Sequence, residues 1–270
     1  MNTKGKILIV ASSIDTFELK TGQKVPVGYY LNELAVPARK AIDAGYEILL
    51  ATPKGNRPVV DQQSLAASHF GNSEAKLREA IDFAASSSAL QSPRSIRAVI
   101  EEGLESYIGV FVPGGHPPMV DLMQDPDLGE VLRYFHAHSK PTALLCHGPI
   151  AATAAMPKAK SFRQALVDDD KQAAKEAAAG WQYAGYRMTI FSSDEEKYAE
   201  DVLLEGAKVP FYPSTALEIA GAKVETREFF KPNVVQDREL ITGQNPPSDH
   251  AIADLFVKAL DRYSAVKAAA

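Results

Sequence analysis

Residues Pro141–Ala155 read PTALLCHGPIAATAA, and the fold turns on how they are parsed. Thr142–Leu145 is a short apolar run that predicts a strand. Cys146 follows, the only cysteine in the chain. His147, Gly148 and Pro149 make a tight turn, and the small residues Ile150–Ala155 suit a helix packed close to a sheet. Gly148 lets the backbone bend, and Pro149 fits the first turn of a helix, where its missing N–H is no loss. Strand, sharp turn and helix with a cysteine at the turn is the logic of a nucleophile elbow. The positive end of the helix dipole there favours thiolate over thiol. A lone cysteine after an apolar run also reads as a buried small hydrophobe. The His, Gly and Pro behind it decide for chemistry, because open α/β sheets place ligands at the carboxyl ends of their strands.

Working outward, Lys6–Ala11 (KILIVA) is a continuous β-branched run, predicting a strand buried on both faces. Ser12–Val27 reads as a long polar loop. Gly28–Gly45 has helical spacing through Leu31, Leu34, Ala35, Ala38 and Ile42, with Gly45 as its stop. Tyr46–Thr52 completes a βαβ unit, which is a parallel arrangement. Val59–Ser106 breaks the rhythm and reads as an excursion with helical pieces at Ser73–Ala84 and Ser95–Glu105. Ile108–Val112 is the next strand, ending in Pro113-Gly114-Gly115-His116. Two glycines after a strand let the backbone approach a ligand, which makes Gly114 and Gly115 candidates for oxyanion or substrate binding, with His116 beside them.

Leu128–His138 is amphipathic and leads into the elbow. Pro157–Gly185 reads as a helical insertion. Arg187–Phe191 is a further strand, followed by SSDEE, a helix N-terminus signal. Val224–Phe229, Val234–Gln236 and Glu239–Thr242 read as short strands, and a last helix runs from Ser248 to about Ala265. The pattern is one α/β domain over residues 1–270, a sandwich around a mostly parallel sheet, with insertions at about 59–106 and 157–185.

Composition removes several function classes. The net charge of −5 provides no basic field for nucleic acid. No run approaches the ~18 apolar residues of a membrane helix, and the apolar run near the N-terminus is a strand rather than a signal peptide. One cysteine allows no internal disulfide, which points to a reducing, cytoplasmic setting. His69 has no second ligand at zinc-like spacing, so neither metal nor cofactor is expected. His136 and His138 read as solvated scaffold.

With these residues in hand, the chain resembles the ThiJ/PfpI superfamily, in its branch of glutathione-independent glyoxalases (glyoxalase III) and heat-shock chaperones. The match is carried by NELAVPARKAIDAGYEILLATPKG, GVFVPGGH, TALLCHGPIAA, MTIFSSDEE and ELITGQNP. The resemblance implies a flavodoxin-like three-layer sandwich and a homodimer. It implies Cys146 as nucleophile with His147 beside it, and Glu33 reaching the thiol from the first helix. It also implies an acid that orients His147, with Glu196 first choice and Glu195 or Asp194 as alternatives. Residue pattern alone does not select Glu33, which lies off the apolar stripe. Its one oddity is Pro37, four residues on, which removes the hydrogen bond its carbonyl would accept and suggests a distorted helix end. His250 follows Asp249 and lacks the His-x-Glu arrangement of glutamine amidotransferases.

The function this implies is conversion of small 2-oxoaldehydes such as methylglyoxal to 2-hydroxy acids, with deglycation repair as a variant. A holdase chaperone with a redox-sensing cysteine and a cysteine-dependent peptidase or amidase are the alternatives.

Overall fold

In the first strand, β1 (Lys6–Val10), successive side chains enter different cores: Leu8 and Val10 join one apolar cluster, Ile7 and Ile9 another. The same division recurs in β4 (Tyr107–Val112), where Val110 and Val112 oppose Phe111, and in β5 (Thr142–Leu145), where Leu144 opposes Ala143 and Leu145. Alternation with both faces buried defines the middle layer of a three-layer α/β structure. The structure is a computed structural model and describes residues 3–269.

The central sheet has seven strands. The others are β2 (Glu47–Thr52), β3 (Arg94–Ser95), β6 (Val234–Asp237) and β7 (Leu240–Gly243), and the order is β6-β7-β5-β4-β1-β2-β3. Every pairing is parallel except β6 with β7. One face is covered by α1 (Leu31–Asp43) and the C-terminal helix α4 (Asp249–Ala269), through Leu34, Ala38, Phe256 and Leu260. The other is covered by α3 (Pro126–Ala137), through Val131, Leu132 and Phe135, and by the segment after the elbow. Burying each large aliphatic or aromatic side chain contributes about 1.5–3 kcal/mol, so both layers are held firmly against the sheet. Among the described residues no helix is long and apolar enough to cross a membrane.

Several local expectations are corrected. Ser12–Val27 contains a small antiparallel hairpin, Thr16–Glu18 with Lys24–Pro26, rather than loop alone. Its Phe17 is fully buried. The helix expected over Gly28–Gly45 begins at Leu31, and it runs straight through Pro37 instead of ending in a distorted turn there. Pro37 falls in the second turn, so a single carbonyl, that of Glu33, loses its partner. Within 59–106 lie α2 (Glu74–Ser86) and β3, which extends the sheet edge beside Ala51 and Thr52. The strand expected at Arg187–Phe191 is only Arg187–Met188. It pairs with Lys223–Val224 outside the main sheet, and Glu225–Phe229 is not strand. The reason is visible in the hydrogen bonds. Thr189 N–H donates to the Thr242 hydroxyl and Phe191 N–H to the Cys146 carbonyl, so this stretch crosses the sheet end instead of joining its ladder.

Because β1, β4, β5 and β7 run parallel, their carboxyl ends share one edge. The loops Pro113–His116, Cys146–Gly148 and Gln244–Asn245 converge on that edge.

Candidate active site

Cys146 sits directly after β5 with φ = +60°, a left-handed conformation that non-glycine residues adopt rarely and usually where surroundings enforce it. Two backbone hydrogen bonds do so: Cys146 N–H donates to the Gly243 carbonyl at 2.8 Å, and its own carbonyl accepts from Phe191 N–H at 2.9 Å. The turn then passes so close to β4 that a Cβ on Gly148 would lie 2.6 Å from the Val112 carbonyl oxygen. The helix expected over Ile150–Ala155 is a 3-10 helix and begins at Gly148.

Glu33 faces the thiol from the first turn of α1. That turn is pinned from outside: Leu31 N–H donates to the Ser64 hydroxyl, and the Asn32 amide donates to Asp249 and to the Pro246 carbonyl. Glu33 is fully buried. Its Oε2 accepts from Gly114 N–H at 2.8 Å, while Oε1 has no nitrogen or oxygen partner. Burial pushes the carboxyl up to about 8, against the pull of the Gly114 amide and the thiol contact. Gly114 has no room for a side chain. A Cβ there would stand 2.7 Å from the Cys146 Cβ, from Glu33 Oε2 and from the His147 nitrogen.

The thiol itself is pushed well above its ordinary value, first by burial and then by the facing Glu33 carboxyl; the Gly115 N–H works in the opposite direction. Burial and the facing acid thus favour the thiol over the thiolate, contrary to the expectation from the elbow. Desolvation and a neighbouring acid outweigh one amide donor and a short 3-10 helix. At neutral pH both members of the Cys146–Glu33 pair hold their protons.

On the other side of the sulfur, His147 Nδ1 lies 3.4 Å from Sγ and Nε2 lies 2.8 Å from Glu196 Oε2. The second carboxylate oxygen, Oε1, is 2.9 Å from His116 Nε2. Burial alone would raise Glu196, but the two histidines outweigh it and hold the carboxyl at about 2. A carboxylate only accepts, so both Nε2 atoms carry hydrogen and His147 turns a bare Nδ1 toward the thiol. Burial keeps His147 below its ordinary value and hence neutral, though Glu196 pulls it up. His116 behaves the other way: the Glu196 charge overcomes burial and raises it.

Of the three acids considered, Glu196 is the one that meets His147. Glu195 closes the capping box on Ser192 and accepts from Gln244, Asn245 and Phe230 N–H. Asp194 is exposed beside Lys197. The sites named from sequence thus come together: Cys146, His147, Glu33 and Glu196, with Gly114, Gly115 and His116. His116, His147 and Glu196 also carry three ligand atoms close enough to hold a metal ion. Each is already engaged in the hydrogen bonds just described.

Sequence reasoning missed the walls. Tyr30, Gln63, His69, Phe191, Phe230 and Leu203 line the cavity over Cys146. Phe17 stacks on His116 with centroids 5.3 Å apart. His136, expected to be solvated, is half-buried and hydrogen-bonded to Glu239 at 2.7 Å.

A buried cysteine on a left-handed elbow, between a carboxyl and a histidine–carboxylate pair at the carboxyl edge of a parallel sheet, defines a cysteine-centred α/β protein. The family model described as ThiJ/PfpI family-like matches residues 26–174, and the chain belongs to that family. A Staphylococcus aureus protein named protein/nucleic acid deglycase HchA is 24% identical over 268 residues, covering 94% of this chain and 79% of the relative. Among solved structures, the Francisella tularensis Rapid Encystment Protein 24 kDa superposes with a TM-score of 0.72 at 23% identity, covering 95% of this chain and 99% of that one. Glyoxalase III from Candida albicans gives 0.71 at 21% identity, covering 95% and 97%. These structural likenesses concern the fold.

Proposed function

We propose that the chain is a cysteine-dependent, glutathione-independent glyoxalase, a lyase of the lactate dehydratase type, which converts methylglyoxal to lactate. The observation that carries this reading is the placement of Cys146 between two different proton carriers, Glu33 and the bare Nδ1 of His147. The names of the deglycase relative and the glyoxalase III neighbour support it.

The chemistry follows from the proton positions. His147 Nδ1 takes the thiol proton, and the sulfur adds to the aldehyde carbon, forming the S–C bond of a hemithioacetal. Glu33, protonated at rest, gives its proton to the new oxyanion, which the Gly115 amide also faces. The Glu33 carboxylate is then free to remove the hydrogen on that carbon while protonated His147 gives its proton to the neighbouring carbonyl oxygen, forming an enediol; Glu33 returns its proton to the second carbon as His147 takes the hydroxyl proton from the first. The first carbon is oxidised and the second reduced, so no external oxidant is required. The product is a thioester on Cys146, and water releases the 2-hydroxy acid and restores the thiol. Removal of early glycation adducts would use the same thiol and the same acid.

Purified protein incubated with methylglyoxal and no added thiol should release lactate. An absence of lactate, with the fold intact, would overturn the proposal.

A further inference from the structure

The cavity over Cys146 has a volume of about 340 Å³. That is at the lower end of the ~300–1,000 Å³ of ordinary small-molecule sites, and it leaves room beyond the three-carbon methylglyoxal molecule. The surplus space is not neutral in character. Phe191 packs against His147 with ring centroids 4.6 Å apart, and Phe230 packs against Phe191 at 6.1 Å and 71°. Phe229 and Tyr198 continue the series edge-to-face at 4.6 and 5.7 Å from Phe230. This aromatic wall runs from beside the reacting sulfur to the surface, where Tyr198 and Phe229 are 42% and 47% exposed. Exposed aromatics continuous with a buried apolar wall are uncommon on a surface without a binding role.

The wall is built rather than incidental. Ala199–Leu203 is a turn of π-helix, which brings Ala199 and Leu203 to the cavity, and such turns concentrate at functional sites. The buried Glu200 anchors it by accepting from Val209 N–H, Lys208 and the Tyr212 hydroxyl. Apart from Glu33, which faces the thiol at the cavity base, no lysine, arginine, aspartate or glutamate lines the cavity among the described residues. The base supplies the Gly115 amide and the thiol for a carbonyl, Tyr30, Gln63 and His69 supply polar groups, and Phe191, Phe230 and Leu203 supply apolar contact.

We infer that the site selects 2-oxoaldehydes carrying a neutral hydrophobic substituent, aryl above all, over methylglyoxal. This rests on the glyoxalase reading for its turnover arm but not for its binding arm. The aldehyde end reaches Cys146 and the substituent lies against Phe191, Phe230 and Leu203. An aromatic ring there gains buried area and edge-to-face contact, which methyl does not.

Two measurements test it. The first compares kcat/KM for phenylglyoxal and methylglyoxal, read as mandelate and lactate, in the parent protein and in Phe230→Ala. The parent should favour phenylglyoxal at least tenfold, and Phe230→Ala should reduce that ratio at least fivefold, mainly through KM for phenylglyoxal. The second measures protection of Cys146 from alkylation by acetophenone and by acetone, neither of which can be turned over. Acetophenone should protect at tenfold lower concentration. Turnover of both aldehydes without preference, and without selective protection, would overturn the inference while the glyoxalase reading stands. Selective protection with no turnover of either aldehyde would uphold the inference and remove the glyoxalase reading. Neither turnover nor selective protection would overturn both.

Discussion

Glu33→Gln should make the protein more stable and much less active. Glu33 is fully buried and its carboxyl is raised to about 8 from an ordinary value near 4.5. In the unfolded chain the proton leaves near pH 4.5, whereas in the folded protein it stays until about pH 8. Between these values the folded state binds more protons, so stability falls as pH rises. The slope is about 1.4 kcal/mol per pH unit, which accumulates to about 3 kcal/mol at pH 7. Glutamine does not titrate. Its oxygen can still accept from Gly114 N–H, and its amide can face the sulfur. The variant should therefore melt roughly 6–12 °C above the parent at pH 7 and within a few degrees of it near pH 5. Turnover should fall by about 10²–10⁴-fold, the typical contribution of a general acid–base group. Mass spectrometry should still detect the methylglyoxal adduct on Cys146 in the variant, because the acid acts mainly after addition. Melting curves of both proteins from pH 5 to 8 are the assay. A gap that does not widen with pH would refute the buried, protonated carboxyl.

Three further outcomes are expected. Cys146→Ala should abolish turnover while circular dichroism and melting temperature stay near parental; near-parental activity would end the thiol mechanism. Gly114→Ala should destabilise by about 1–3 kcal/mol and depress turnover, because its Cβ would stand 2.7 Å from Cys146 Cβ and Glu33 Oε2; urea denaturation with parental stability would contradict that crowding. The protein should run as a homodimer in light scattering, the state the family resemblance implies, and a monomer mass at micromolar concentration would remove that proposal.

The sheet was legible wherever a strand is buried on both faces, because runs such as KILIV and YIGVFV admit few other readings. The elbow was legible for a different reason. Cys146, Gly148 and Pro149 are adjacent in sequence, and their turn chemistry is local. Glu33 was not legible from pattern, since its desolvation depends on Gly114, 81 residues away, and on a sulfur further still. The Glu196–His116 contact was hidden likewise, although the glycine pair marked His116 as worth attention. The failed strand at Arg187–Phe191 shows the converse: apolar alternation predicts a ladder, but side-chain and carbonyl acceptors at Thr242 and Cys146 took its donors. The hairpin carrying Phe17 had only Gly22 and two short flanks as signals, too few residues to separate from loop.

The central feature of the proposed chemistry is a thiol that performs an internal oxidation–reduction without a partner thiol. Methylglyoxal should be incubated with purified parent and Cys146→Ala in thiol-free buffer, and lactate quantified against time. This chemistry predicts steady lactate release from the parent at many turnovers per protein, and none above background from Cys146→Ala. Equal release from both, or none from either while the parent remains folded, would contradict it.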